Sequence, residues 1–305
     1  MHSTSGQLQT SPPFDFEKSL AFFGGFTPTE GEQVVKKRSI LKAVSIMGNA
    51  IAFEIMDSGD VENPQIAFTA HSEGEIPNEA LIDRLRFFLS LDDDLQGFYA
   101  IAEKDNAFAP VLKRFYGHKQ VKFLTPFENA CWAILSQRVP MSFARKTKGA
   151  ITEKFGRKIK VDGIVLWAFP EPSDLRDADK SELLEIVRNE KKCEYLASAS
   201  MAFSQVDEKW LRTGPNDEAY AWLRSIKGIG EWSAQFVMLR GLGRMERISN
   251  VEEKLVPAVA RVYGKPMSES RVLELAQNYG THQGYWAYYV RIYSEFGENP
   301  HMRMD

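Results

Sequence analysis

The chain has 305 residues, a length that allows two or three domains. Its composition, 44% hydrophobic and 26% charged residues, is typical of a globular protein. No run of about 18 apolar residues occurs, so we expect no membrane span. The net charge is −3, which excludes a global basic surface for nucleic acid, so any contact with a polyanion must come from a local patch or from backbone amides.

The N-terminal part of the chain has strand patterns. Residues 1–12 are polar, with Ser, Thr, Gln and Pro, and we predict a disordered tail there. A two-residue hydrophobic period within residues 36–72 predicts antiparallel strands, and Gly48-Asn49 is the signal for a hairpin turn between two of them. A helix over residues 77–91 is expected to cover one face of the sheet.

Helical spacing takes over after about residue 95. We therefore predict an α+β protein with a β-rich domain at residues 13–115 and an all-helical region at residues 116–305, the latter as two subdomains with a cleft between them. Cys131 and Cys193 lie in helical patterns, which predicts reduced, packed thiols. Two cysteines cannot supply a four-cysteine cluster, and the five histidines lack metal-ligand spacing, so we expect no cofactor held by side chains.

The most informative segment spans residues 223–255. Two helices are predicted there, joined by a tight Gly-Ile-Gly turn whose isoleucine anchors the turn in the core. Backbone N–H groups at the start of the second helix could bind a DNA phosphate, because the helix dipole favours an anion there. A Gly-x-Gly turn is also common in ordinary helical hairpins. The predicted DNA contacts of the turn are Lys227, Gly228, Ile229, Gly230 and Ser233.

The longer pattern resembles the helix-hairpin-helix signature of the HhH-GPD superfamily of DNA glycosylases, in particular the AlkA-type DNA-3-methyladenine glycosylase II. The turn, Trp232 and residues 239–244 carry this resemblance, and residues 133–137 and 259–264 extend it. The resemblance covers roughly residues 13–296. It implies a β-rich N-terminal domain before a helical glycosylase core.

The resemblance also implies a function. The protein would be a monofunctional glycosylase of base excision repair, acting as a monomer on double-stranded DNA. It would flip a damaged base, an alkylated purine, out of the duplex and hydrolyse its N-glycosidic bond. Its expected location is a bacterial cytoplasm or a eukaryotic nucleus.

The family places a catalytic aspartate at a fixed distance after the turn, and here that position, 24 residues after Gly228, is Glu252, with Glu253 beside it as the alternative. A carboxylate there would stabilise positive charge on the sugar. Glutamate carries an extra methylene, which shifts the carboxylate by about 1 Å. Residues 249–252 and 250–253 also spell capping boxes, so either glutamate could instead cap the following helix. A second possible function is therefore a glycosylase fold that binds DNA damage with weakened or absent chemistry.

Aromatic residues are candidates for the base pocket. Trp232 stands where other branches of the superfamily carry a lysine nucleophile, and tryptophan cannot form a Schiff base, so no lyase step through this position is expected. Trp232 and Phe236, one turn apart, would stack on an electron-poor alkylated purine. Trp286 in the C-terminal helix is a third candidate. Core packing is the alternative for all three.

Further contacts follow from the resemblance. Gln137 and Arg138 lie in the segment that enters the minor groove, where Arg138 would either fill the gap left by the base or pair with a phosphate. A local basic face is predicted from Arg145, Lys146 and Lys148. The family's hairpin usually holds a monovalent cation, a Na or K ion, which here would be bound by the main-chain carbonyls of Arg224, Ile226 and Ile229.

Overall fold

The structure, a computed structural model, describes residues 1–296. An antiparallel five-stranded sheet in the order β1-β5-β4-β3-β2 opens the chain, and helices follow. This confirms the α+β class predicted from the change in hydrophobic period. The strands of the sheet are β1 (His2–Leu8), β2 (Gln33–Lys36), β3 (Ser39–Ile46), β4 (Asn49–Asp57) and β5 (Ile66–Ser72).

The first residues of the chain form an edge strand, so the predicted disordered tail at residues 1–12 is wrong. Strand β1 pairs antiparallel with β5, from His2 opposite Ser72 to Leu8 opposite Ile66. Leu8 is the one fully buried side chain of this strand. Backbone hydrogen bonds hold β1 in place, and a polar composition does not reveal them.

The predicted β3–β4 hairpin is confirmed, with its turn shifted by one residue. Ile46 pairs with Asn49, so the turn residues are Met47 and Gly48 rather than Gly48 and Asn49. Their φ angles of 51° and 78° place both in the left-handed region, as a two-residue type I′ turn requires.

Helices form most of the remaining described chain, and α2 confirms the helix expected over residues 77–91. They are α1 (Phe16–Gly25), α2 (Asn78–Phe88), α3 (Gln96–Ala102), α4 (Ala109–Phe115), α5 (Pro126–Leu135), α6 (Met141–Phe155), α7 (Pro172–Arg176), α8 (Lys180–Val187), α9 (Glu190–Phe203), α10 (Glu208–Thr213), α11 (Asn216–Ser225), α12 (Glu231–Arg240), α13 (Leu255–Tyr263), α14 (Glu269–Gln277) and α15 (Gln283–Phe296). Within residues 1–296, no helix is long and apolar enough to cross a membrane.

The region after residue 116 is not all-helical, because it contains the hairpin of β6 (Arg157–Val161) and β7 (Ile164–Ala168). Buried residues of this hairpin pack against Leu41 and Ala52 of the N-terminal sheet. The Asp162-Gly163 turn, with both residues at positive φ, is a hairpin signal that sequence reasoning missed.

Two large hydrophobic cores organise the molecule. The first unites the N-terminal sheet with helices α13 to α15, and the second lies among α5, α9, α11 and α12. In the first core, the ring of Phe98 lies 5.1 Å from Tyr289 and 6.0 Å from Tyr279. Helix α15 therefore shares a core with the N-terminal part of the chain. The domain boundary at residues 115–116 stays a prediction.

Candidate functional site

The predicted helical hairpin is present, with α11 and α12 joined by residues 226–230. Gly228 has a φ of 91°, and a Cβ added there would lie 2.2 Å from Cγ of Tyr195. Ile229 is buried in the second core and anchors the turn as the sequence predicts. Both the backbone conformation and the contact with Tyr195 require glycine at position 228.

We predict that Gly228→Ala destabilises the protein by about 1–3 kcal/mol, because alanine is strained in the left-handed region and its Cβ collides with Tyr195. Gly230→Ala is the matched control. Gly230 has a φ of −82°, and its nearest neighbour to an added Cβ is Arg224 Nη1 at 3.9 Å. Urea unfolding of both variants measures the difference, and equal losses of stability would contradict this account of the turn.

The hairpin leaves main-chain donors available for a ligand. Helix α12 begins after Gly230, and no side chain caps its first turn. Lys227 beside the turn is exposed and forms an ion pair with Glu194 at 2.7 Å. Gln137 Nε2 donates to the carbonyl oxygen of Gly228 at 2.9 Å and lies 3.5 Å from Ser233 Oγ. The structure thus brings together three residues that the sequence assigned to DNA contact.

Arg138 lies at the tip of the loop between α5 and α6. Its φ of 55° is left-handed, its side chain is exposed, and it makes no hydrogen bond or ion pair with any of residues 1–296. Two large apolar side chains, Met141 and Phe143, are exposed just after it. A free cation beside apolar side chains matches the chemistry of insertion into a DNA groove.

The predicted basic face is smaller than the sequence indicated. Lys148 is completely buried and forms ion pairs with Glu128, at 2.7 Å, and with Glu32. Arg145 pairs with Glu30, which leaves Lys146 exposed on this helix. Lys148 faces inward because it lies on the side of α6 that packs against the rest of the protein, next to buried Thr147 and Ile151. A surface role for Lys148 is therefore wrong.

A cavity of about 680 Å³ lies beside the hairpin and is open to solvent. Trp232 and Phe236 line it and stack nearly parallel, with ring centroids 5.2 Å apart and an interplanar angle of 7°. Trp232 is 42% exposed although it is a large apolar residue. An open aromatic face of this kind suits stacking with a planar ligand.

Trp286 lies in the first core and does not line the cavity, so its assignment to the base pocket is wrong. It is fully buried, stacks on Tyr279 at 5.7 Å, and donates from Nε1 to the hydroxyl of Tyr263 at 3.2 Å. The opposite face of α15 contributes to the cavity instead. Its lining residues there are Gly284, Ala287, Tyr288, Arg291, Ile292 and Glu295.

Glu252 also lines the cavity, and it does not cap a helix. Residues 248–254 are irregular, α13 begins only at Leu255, and no side chain caps it, so the capping-box alternative is wrong for both glutamates. The carboxylate of Glu252 accepts a hydrogen bond from Arg291 Nε. Glu253 lines the cavity too and is exposed.

Two residues that the sequence did not single out position this segment. Gln235 Oε1 accepts hydrogen bonds from the backbone N–H and from the hydroxyl of Ser249, each at 2.7 Å. Arg291 bridges Glu252 and Glu295. The Gln235–Ser249 and Arg291–Glu252 contacts join residues 14 and 39 positions apart, and no motif signals them.

The cavity lining also includes a buried cation. Arg240 is 8% exposed, and its guanidinium carbon lies 4.9 Å, 5.0 Å and 5.3 Å from the ring centroids of Phe22, Phe26 and Tyr288. Burial lowers the pKa of Arg240, which nearby Tyr288, Glu295 and Glu252 partly offset. Sequence reasoning treated this arginine only as part of the helical signature.

The described residues offer no clustered metal ligands. Within residues 1–296, no three His, Cys, Asp or Glu side chains come together in a way that could hold a metal ion. In the hairpin, the carbonyl of Ile226 accepts a hydrogen bond from the N–H of Ile229 at 3.0 Å. The monovalent cation at the carbonyls of Arg224, Ile226 and Ile229 stays a prediction.

Comparisons with known proteins identify similar chains, although no protein-family model matches. The chain is 26% identical over 216 residues to a DNA-3-methyladenine glycosylase of Bacillus subtilis (strain 168), covering 70% of this chain and 71% of that protein. A 3-methyladenine DNA glycosylase from Archaeoglobus fulgidus has a similar structure, with a TM-score of 0.77, 23% identity and coverage of 97% and 99% of the two chains. An 8-oxoguanine glycosylase/lyase of Clostridium acetobutylicum, solved with double-stranded DNA, gives a TM-score of 0.70 at 15% identity, covering 97% and 99%. These findings confirm the predicted resemblance to DNA glycosylases and show that the fold is shared.

Proposed function

We propose that the protein is a monofunctional DNA glycosylase that excises alkylated purines from double-stranded DNA and acts as a monomer. The observation that carries the proposal is the cavity beside the hairpin, which contains both the stacked Trp232 and Phe236 rings and the carboxylate of Glu252. One wall can hold a planar base, and a negative charge is available for the sugar. The relatives' names support the substrate class.

The positions of the hairpin, Arg138, Trp232 and Glu252 suggest a separate role for each in binding the damaged nucleotide. Main-chain donors at the start of α12 bind a phosphate, and Arg138 fills the gap that the flipped nucleotide leaves. The extrahelical base stacks on Trp232. These contacts would hold the damaged nucleotide with its sugar towards Glu252.

Excision needs little acid catalysis when the base is alkylated. Alkylation of a ring nitrogen makes the purine cationic, so it leaves as a neutral molecule with the electron pair of the N-glycosidic bond. Positive charge then develops on the sugar, and the Glu252 carboxylate stabilises it. Water adds to the anomeric carbon and loses a proton. No histidine lines the cavity within the described chain, which agrees with a site that relies on charge stabilisation.

Arg291 would correct for the longer side chain of glutamate. It fixes the carboxylate of Glu252 through a charge-assisted hydrogen bond, and it is itself held by Glu295. A glutamate whose orientation is fixed in this way can act where the family pattern has aspartate. The comparisons give no support to the alternative of a fold that binds damage without excising it.

Product analysis tests the proposal. We expect an oligonucleotide duplex containing one alkylated purine to yield the free base and an intact abasic strand, which breaks only after alkali treatment. Borohydride should trap no covalent complex, because Trp232 stands at the position of the nucleophilic lysine. Lys254 also lines the cavity, so a trapped complex that disappears in Lys254→Ala would overturn the monofunctional assignment.

We predict that Trp232→Ala lowers the single-turnover rate of excision by about 10- to 100-fold, because stacking of one base on an aromatic ring contributes about 1–3 kcal/mol. Trp232→Phe should retain most of the activity. Trp167→Ala is the control, since Trp167 lies in β7 and does not line the cavity. An unchanged rate in Trp232→Ala would show that the base stacks elsewhere.

A further inference from the structure

The buried guanidinium of Arg240 lacks the carboxylate partner that such a group ordinarily has. No carboxylate among residues 1–296 lies within ion-pair distance of it, and its Nη2 atom is buried without a hydrogen-bond partner. The rings of Phe22, Phe26 and Tyr288 surround it, and Tyr288 also forms a side-chain hydrogen bond with it, so the donor left unpaired is Nη2. A buried charged donor without an acceptor is costly to the folded protein unless a ligand supplies one.

Gln120 presents a second unsatisfied group in the same cavity. It is 1% exposed, it lines the cavity together with Arg240, and its Oε1 atom has no hydrogen-bond partner. Its main chain is fixed, because the hydroxyl of Ser90 donates to its carbonyl oxygen. An amide offers both an acceptor and a donor to a ligand. We call Arg240 and Gln120 the polar wall of the cavity.

We infer that this polar wall reads the edge of the extrahelical base and selects purines that carry an oxo group at C6 over purines that carry an amino group there. The inference rests on the proposed function and specifies its substrate. A guanidinium has N–H donors and no acceptor, so it matches the O6 carbonyl of a guanine lesion or of hypoxanthine. The Gln120 amide oxygen can accept the N1–H that accompanies such a carbonyl.

An adenine lesion fits the polar wall less well. Its C6 amino group would set N–H donors against those of Arg240. The guanidinium could instead reach ring nitrogen N1, but alkylation puts positive charge on that ring, which weakens N1 as an acceptor. The O6 atom of an alkylated guanine remains a good acceptor. The two lesions should therefore differ although both stack equally well on Trp232.

Two N3-methylated purines provide a matched substrate pair. We would measure single-turnover release of 3-methylguanine and of 3-methyladenine from defined duplexes and divide each rate by its uncatalysed rate. Wild type should favour 3-methylguanine at least about tenfold, the size of one specific hydrogen-bonded contact to a base. Arg240→Met should abolish this preference, and Gln120→Leu should reduce it. Arg240→Lys keeps the charge but has fewer donors, and we expect partial preference.

A binding measurement separates this inference from the proposed function. Free hypoxanthine and free adenine differ at C6 and N1. Ligand-observed NMR can compare their binding to wild type and to Gln120→Leu. The Gln120→Leu variant keeps the inference testable if Arg240→Met fails to fold. Base release without a preference for 3-methylguanine would overturn the inference and leave the proposed function intact. No base release, with hypoxanthine bound in preference to adenine, would overturn the function and leave the polar wall intact. Equal binding of both bases would count against the polar wall.

Discussion

Glu252→Gln is expected to lower the rate of base release by about 100- to 1000-fold, the loss that follows when one charge-stabilising group is removed from an active site. The amide keeps the shape of the side chain but cannot stabilise a positively charged sugar. Because Glu252 contacts Arg291 and not the hairpin, duplex affinity should stay within about threefold of wild type. Single-turnover kinetics and a binding titration on the same duplex measure the two quantities.

Glu253→Gln is the matched control for this experiment. Glu253 neighbours Glu252 in the same irregular segment and also lines the cavity, but it is exposed and no hydrogen bond or ion pair fixes its carboxylate within residues 1–296. We expect Glu253→Gln to retain at least about a third of the activity, as is usual for an exposed side chain. If the control is inactive and Glu252→Gln is active, the assignment of the catalytic carboxylate is wrong by one residue.

Lys148→Met is expected to lower the free energy of unfolding by about 3–5 kcal/mol, because it leaves the buried carboxylate of Glu128 without its counter-charge and leaves Glu32 with Lys42 alone. Lys148 lies between Glu128 and Glu32, and it is completely buried. Burial raises the pKa of Glu32, but Lys148 and Lys42 outweigh that effect and hold the pKa below its ordinary value of 4.5. The stability that Glu32 contributes is therefore present above about pH 4.5 and is lost as the pH falls below it.

Lys146→Met controls for this change, since Lys146 lies on the exposed side of the same helix. Its effect on stability should stay within about 0.5 kcal/mol, as for most surface substitutions. Urea unfolding at pH 7 compares the two variants. Equal stability of both would contradict the buried ion network. A fall in DNA affinity without loss of stability in Lys148→Met would restore the surface role that the sequence indicated.

Features encoded by neighbouring residues could be predicted from the sequence. The turn of the hairpin depends on glycine spacing, and the change from a two-residue to a helical period gave the fold class. Trp232 and Phe236 stack because a helix places residues four apart on one face. Glu252 could be located only through the family resemblance, because no local pattern separates a catalytic carboxylate from a helix cap.

Features that depend on tertiary contacts could not be predicted in this way. Strand β1 is polar, and its pairing with β5 involves residues more than 50 positions away. Lys148 is a surface residue by composition but is buried between acids that come from two other segments. Trp286 and Tyr288 are near neighbours in one aromatic helix, and only its packing determines which of them faces the cavity. Arg240 and Gln120 likewise come to line one cavity only through folding.

The most direct test of the account is the identity of the product. Wild-type protein and Glu252→Gln are each incubated in molar excess with a methylated duplex, and mass spectrometry measures the purines released into solution. We predict that wild type releases a methylated purine and leaves an abasic site in an uncut strand, while Glu252→Gln releases it at least about 100-fold more slowly. Wild-type protein that binds the duplex and releases no base would contradict the central claim.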